Sequence, residues 1–140
     1  MAHLFNARKE MVNYRSLIGR RWEYGKADCY TLMRDYFKLQ GVELPDFPRP
    51  DNTETCQSIF LEQMPKHGFY QVAFESRKPG DVLIMRLGKA TPMHAAILLP
   101  DLQILHQKHE SLSAVEPLRR YYVTKVAAVF RYAADRSAAR

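Results

Sequence analysis

From Val82 to Leu87 the chain reads Val82-Leu83-Ile84-Met85-Arg86-Leu87, a nearly continuous apolar run of strand length. A strand with one wet face alternates apolar and polar residues, so a run without alternation belongs to a strand covered on both faces. Pro79-Gly80 makes a turn into it just before Asp81. A short strand is expected earlier, at Phe69 to Phe74. Later, His94 to Leu99, a turn at Pro100-Asp101, and Leu102 to His106 read as a hairpin. Val126 to Tyr132 supplies a last strand, and Pro117 to Tyr122 before it reads as irregular or a short helix.

Helical patterns come first in the chain. Ala7, Met11, Tyr14 and Ile18 recur at helical spacing, so Asn6 to Ile18 reads as a helix stopped by Gly19. A second helix is expected from Asp28 or Cys29 to Gln40, with Leu32, Met33, Tyr36 and Leu39 as its apolar stripe and Gly41 as its stop. Val42 to Asn52 carries Pro45, Pro48 and Pro50 and must be an ordered loop. A third helix is expected over Thr53 to Gln63, where Asp51 and Glu54 have capping-box spacing. Helices first and an antiparallel sheet after them make an α+β architecture. One domain of 140 residues accounts for the whole, with residues 1–20 as a helical extension and 134–140 as a loose tail.

The composition is that of a folded globular chain, 46% apolar and 26% charged, which excludes a disordered one. No apolar run is long enough to cross a bilayer. Met1-Ala2-His3-Leu4-Phe5 lacks the charged-then-apolar pattern of a signal peptide, so work outside the cytosol would need another carrier. A net charge of +6 suits an anionic partner. The basic residues are scattered and form no stripe with interleaved aromatics, which argues against a nucleic-acid reader.

Cys29 and Cys56 are the two cysteines, too few for a disulfide framework and without C-x-x-C spacing. Gly25 and Asp28 form a turn that delivers Cys29 to the first turn of the second helix. There, unpaired N–H groups and the helix dipole favour a thiolate. With an imidazolium nearby, a pKa of about 6 is expected, against about 8.5 for a free thiol. Asp28, as N-cap, is expected to face backbone donors rather than the sulfur.

A thiol nucleophile needs a base, and the base needs an orienting partner. A hairpin turn centred on Pro100 sets His94 directly opposite His106, with Cβ atoms about 4.5–5.5 Å apart. A one-residue slip would instead turn His106 to the other face. His109, in His109-Glu110-Ser111, reads as solvated surface, and His3 and His67 have no partner pattern. The spacing of Cys29, His94 and His106 matches no zinc signature, so no metal and no other cofactor is expected.

Taken together, these segments resemble the NlpC/P60 cysteine peptidases, in the branch found in tailed-phage tail assembly and tail-tip proteins. The resemblance rests on Asp28-Cys29-Tyr30-Thr31-Leu32 with Arg34-Asp35-Tyr36-Phe37, Leu44-Pro45-Asp46-Phe47, Pro79-Gly80-Asp81-Val82-Leu83, His94-Ala95-Ala96-Ile97 and Leu105-His106. It implies a papain-like fold, helices packed on an antiparallel sheet of about five strands. It implies Cys29 as nucleophile, His94 as general base, His106 as the orienting third member, and the Cys29 N–H as an oxyanion donor. The implied substrate is the peptide stem of peptidoglycan. Other tail-tip proteins would be the partners and the virion tail tip the location, with action in the host periplasm or envelope. A structural tail component with the same fold and no activity is the alternative, and another papain-like amidase or acyltransferase a third. Many cellular members have Ser-Gly after the cysteine, where this chain has Tyr30-Thr31. The family's site-lining upstream tyrosine must be Trp22 or Tyr24, which with Asp28 are the expected substrate-binding residues. Loops 42–52 and 107–117 are expected to shape the groove.

Overall fold

The computed structural model describes residues 12–50 and 58–133. Six strands form one antiparallel sheet: β1 (Phe69–Val72), β2 (Val82–Met85), β3 (His94–Leu99), β4 (Gln103–His106), β5 (Ala114–Pro117) and β6 (Val126–Tyr132), in the order β1-β6-β2-β3-β4-β5. Among the described residues three α-helices accompany them: α1 (Cys29–Lys38), α2 (Ile59–Gln63) and α3 (Arg120–Val123).

β2 is buried along its whole length, as its unbroken apolar run requires. Val82 and Ile84 face a core built with Leu32, Met33, Tyr36 and Phe37 of α1. Leu83 and Met85 face the other side, against Tyr122 of α3 and Ile104 of β4. The sheet is therefore the middle layer, and α1 lies on the face nearer the N-terminal half of the chain. The turn before β2 is held by Asp81, whose carboxylate accepts from the Lys78 N–H and from Arg131. Gly80, at φ +96°, supplies the left-handed residue this turn needs.

Several expectations change here. Leu39, assigned to the apolar stripe of α1, is 49% exposed, and Phe37 is buried in its place. The helix stops at Lys38, so Leu39 already lies past the turn that faces the sheet. Of the helix expected over 6–18, the described residues contain a 3₁₀ turn at Arg15–Leu17, and residues 1–11 lie outside them. The Asp51–Glu54 capping box and Cys56 also lie outside the described residues. α2 begins later than expected, capped by the Ser58 hydroxyl, which accepts from the Leu61 N–H. The strand expected over 69–74 stops at Val72 and gives way to a 3₁₀ turn at Phe74–Ser76. β5 is a sixth strand, lying within the expected loop 107–117. Its four residues carry no apolar alternation, and its pairing with β4 comes from the sheet edge rather than from its own pattern.

The β3–β4 hairpin pairs Ala96, not His94, with His106. Asp101 and Leu102 both adopt left-handed φ, 63° and 54°, and the turn they make with Pro100 moves the register by two residues from one centred on Pro100. Because side chains alternate with a period of two, that displacement leaves both histidines on one face. They meet diagonally instead of head-on.

Candidate active site

Asp28 organises the entry to α1. Its carboxylate accepts from the N–H groups of Gly25 and Thr31, from the Thr31 hydroxyl, and from Nε and Nη2 of Arg49. Burial alone would raise its pKa, but the Arg49 and backbone hydrogen bonds outweigh it and hold the group below its ordinary value. Asp28 thus faces backbone donors as expected. With its oxygens filled by the chain itself, it contributes an ordered turn to the cavity wall.

This turn brings Cys29 to the first position of α1, half-buried against the start of β3. The thiol donates to the Met93 carbonyl at 3.6 Å, and the Ala95 N–H is the main hydrogen bond favouring its anion. The sulfur therefore sits against the backbone on either side of His94. Cys29 and His94 line one cavity of about 100 Å³, together with Trp22, Tyr24, Asp28 and Arg49.

His106 stands behind His94, its Nδ1 2.9 Å from His94 Nε2, with the ring planes 72° apart. On its far side, His106 Nε2 lies 2.5 Å from Glu116 Oε2. Glu116, on β5, also accepts from the Tyr122 hydroxyl at 3.0 Å and pairs with Arg119 at 3.3 Å and Lys108 at 3.7 Å. Desolvation opposes its charge, but hydrogen bonds from His106 and Tyr122 win and lower its pKa. A carboxylate can only accept, so neutral His106 carries its proton on Nε2 and offers Nδ1 as acceptor. His94 then donates from Nε2, which leaves a lone pair on its Nδ1. The tautomer of the expected base is set through two hydrogen bonds by Glu116, a residue of the expected loop 107–117.

The expected thiolate is not the resting state. Burial pushes the Cys29 thiol up to about 11, and the charge of Asp28 adds to the rise against the Ala95 and Tyr30 N–H groups. Burial also takes the His94 imidazole down to about 3, with His106 and Lys108 opposing its protonation. The helix N-terminus does favour the anion, but loss of water around the sulfur costs more than the partial charge returns. Thiol and imidazole rest neutral.

Both upstream aromatics line the cavity. Trp22 and Tyr24 stack at 6.1 Å, and the Tyr24 hydroxyl donates to the Pro50 carbonyl. His109 is exposed, as read from sequence, yet its ring packs on Trp22 at 4.4 Å and completes that rim. Among the described residues no three of His, Cys, Asp and Glu converge as metal ligands.

A family comparison matches residues 19–131, a span that covers Cys29, His94, His106 and strands β1 to β5, to the NlpC/P60 family. The chain belongs to the NlpC/P60 family. It is similar to the tail tip assembly protein K of Escherichia phage lambda, 40% identical over 124 residues, which are 88% of this chain and 62% of that protein. The chain thus spans less than two thirds of that relative's length. In fold it is similar to an NlP/P60-family lipoprotein-like protein of Staphylococcus aureus (TM-score 0.64, 17% identity, covering 89% of this chain and 41% of that one). It is also similar to the P60 domain of an antigen of Mycobacterium avium subspecies paratuberculosis (TM-score 0.63, 16% identity, 91% and 96%). These likenesses agree with the α+β, papain-like expectation.

The residues that depart from the cellular NlpC/P60 pattern have local duties. The Tyr30 hydroxyl donates to the Pro45 carbonyl and its ring lies under the Arg49 guanidinium, 5.0 Å away. The Thr31 hydroxyl sits between Asp28 and Arg49. Together they tie residues 42–50 to α1. Arg49 and Glu116 had no local signal in the sequence. Each became visible only when a distant segment brought it to its partner.

Proposed function

We propose that this NlpC/P60 protein is a phage tail-associated cysteine endopeptidase that hydrolyses the peptide stem of bacterial peptidoglycan. Cys29 serves as nucleophile, His94 as general base and then acid, and His106 as orienting member. The tail association rests on the likeness to the lambda tail tip assembly protein. The activity rests on one observation above all: the hydrogen-bonded run from Glu116 through His106 ends at Nε2 of His94, and His94 lines the same cavity as Cys29.

The neutral pair reacts without first forming an ion pair. As the sulfur attacks the scissile carbonyl carbon, its proton passes to His94 Nδ1, and the carbonyl π electrons move onto oxygen. The Cys29 N–H, first in α1 and so without an intrahelical acceptor, holds that oxyanion in this reading. Positive charge on His94 is shared through His106 with Glu116. When the tetrahedral species collapses, the C–N bond breaks and His94 returns the proton to the departing amine. Water, activated by the same imidazole, then cleaves the thioester. Such a protein would be made in the host cytoplasm, carried by the particle with other tail-tip proteins, and act at the envelope during genome entry.

The test is incubation of purified protein with murein, followed by mass spectrometry of the soluble fragments. Stem peptides released by the wild type and not by Cys29→Ala support the reading. Release by neither protein overturns it in favour of a structural tail component. Products formed by amide cleavage outside the stem, or by acyl transfer, would reassign it to another papain-like reaction.

A further inference from the structure

A second cavity, of about 340 Å³, is lined by Arg86, Gly88, Lys89, Thr124 and Lys125. Three of these carry positive charge, and among the described residues no carboxylate lines it. The net charge of +6 is scattered along the sequence, but the fold gathers three cations here. One backbone hydrogen bond does much of this, the Arg86 N–H donating to the Lys125 carbonyl at 2.8 Å and joining the exit of β2 to the entry of β6. The Lys125 ammonium lies 5.3 Å from the centre of the Tyr121 ring, a contact that steadies the group and leaves its charge uncancelled. Among the described residues neither Arg86 nor Lys125 forms an ion pair. A cleft lined by one sign of charge focuses the field and concentrates groups of the opposite sign.

The place of this cavity decides what it serves. Lys89 lines it and also lines the Cys29 cavity, to which Leu87 of the same loop contributes a second wall residue. Residues 86–89 are thus a partition between two hollows, and a chain leaving the Cys29 cavity across Lys89 enters the basic one. We infer that the basic cavity is a substrate exosite, holding a carboxylate of the peptide whose scissile bond lies at Cys29. The inference rests on the peptidase reading and adds the ionic group that the substrate presents away from the cleaved bond. A guanidinium offers a carboxylate two parallel N–H donors, and an ammonium beside it adds a compact positive charge. Gly88 contributes no side chain to block the approach. An occupant shared with the Cys29 cavity is a peptide, and the anions a peptide carries are carboxylates.

The experiment uses synthetic murein stem peptides in which each carboxylate in turn is converted to its amide, which keeps the shape and removes the charge. Affinity is measured by calorimetry on full-length Cys29→Ala protein, with and without Arg86→Gln and Lys125→Gln together, and kcat/KM is measured with the wild type. Each of the two changes is also made singly, so that a fold lost in the combined variant does not end the test. Amidation at one position is expected to cost about fivefold in affinity, the scale of one charge-assisted contact at a partly exposed site. The same amidation should cost nothing once Arg86 and Lys125 are neutral. Peptides that are cleaved with every amidation tolerated, or with one penalised equally in the neutralised protein, overturn the exosite and leave the peptidase reading intact. Neutralisation that weakens every peptide alike, amidated or not, reflects general attraction to a basic surface and also overturns it. Coupling seen in binding without cleavage keeps the exosite and removes the reaction. Absence of both binding and cleavage overturns both.

Discussion

His106 Nε2 and Glu116 Oε2 stand 2.5 Å apart across the β4–β5 edge, joining a buried imidazole to a half-buried carboxylate. Burial lowers the proton affinity of His106, and Glu116 opposes that effect. The pair therefore governs both which nitrogen of the histidine relay carries a proton and how readily that relay accepts positive charge.

Glu116→Gln should lower kcat by about 10–100-fold with little change in KM, the usual scale for removing an orienting partner one shell behind the reacting groups. The amide can donate to His106 Nε2 and so hold the wrong tautomer. Loss of the negative charge also makes His94 harder to protonate, so the acid limb of the rate profile should move to lower pH. A KM effect with an unmoved profile would mean that Glu116 only supports the strand.

Cys29 should react slowly with iodoacetamide at neutral pH. A thiol whose pKa is pushed up to about 11 is almost wholly protonated there, and the rate should climb with pH until that value. His94, pushed down to about 3, loses its lone pair only in strong acid. With the neutral pair as the reactive form of the proposed mechanism, kcat/KM should be flat between the two values wherever the fold persists. A bell-shaped profile with limbs near neutrality would show a thiolate–imidazolium resting pair instead.

Arg131→Met should destabilise the protein by about 3 kcal/mol in urea unfolding, because it strands a buried carboxylate. Asp81 is 2% exposed, and Arg131 reaches both of its oxygens at 2.8 Å. The change is remote from the Cys29 cavity, so kcat should hold at temperatures where the fold survives. A variant as stable as the wild type would mean that the Lys78 N–H alone satisfies Asp81.

Asp28→Asn should flatten the acid end of the stability curve. The folded pKa of Asp28 lies below its unfolded value, so its contribution is full above the unfolded pKa and disappears as pH falls through the folded one. Removing the charge lowers stability at neutral pH, where Arg49 loses one of its two carboxylate partners, and lessens the further loss below about pH 4. Chemical unfolding at pH 7 and at pH 3 measures the difference. Equal losses at both would assign the effect to geometry alone.

Much of this architecture was written in local pattern. The apolar run of β2, most of the stripe of α1 and the Asp28 cap follow from rules that act over a few residues, though the strand ends at Met85 and the helix at Lys38, which leaves Leu39 outside the stripe. The parity of His94 and His106 was also legible, because alternation along a strand survives any register shift of two. The turn at Pro100 to Leu102 was not, since two left-handed residues outside glycine follow from the closure of the hairpin rather than from their own preference.

What the residues alone determined, then, is which side chains could do chemistry and which elements would carry them. Only the folded chain decided how those side chains are charged and who stands behind them. Arg49 meets Asp28 through a proline-rich loop, and Glu116 meets His106 through an edge strand with no apolar rhythm of its own. The physical reason is shared by both. Proton affinity depends on lost water and on charges a few ångströms away, and both are set by segments distant in sequence.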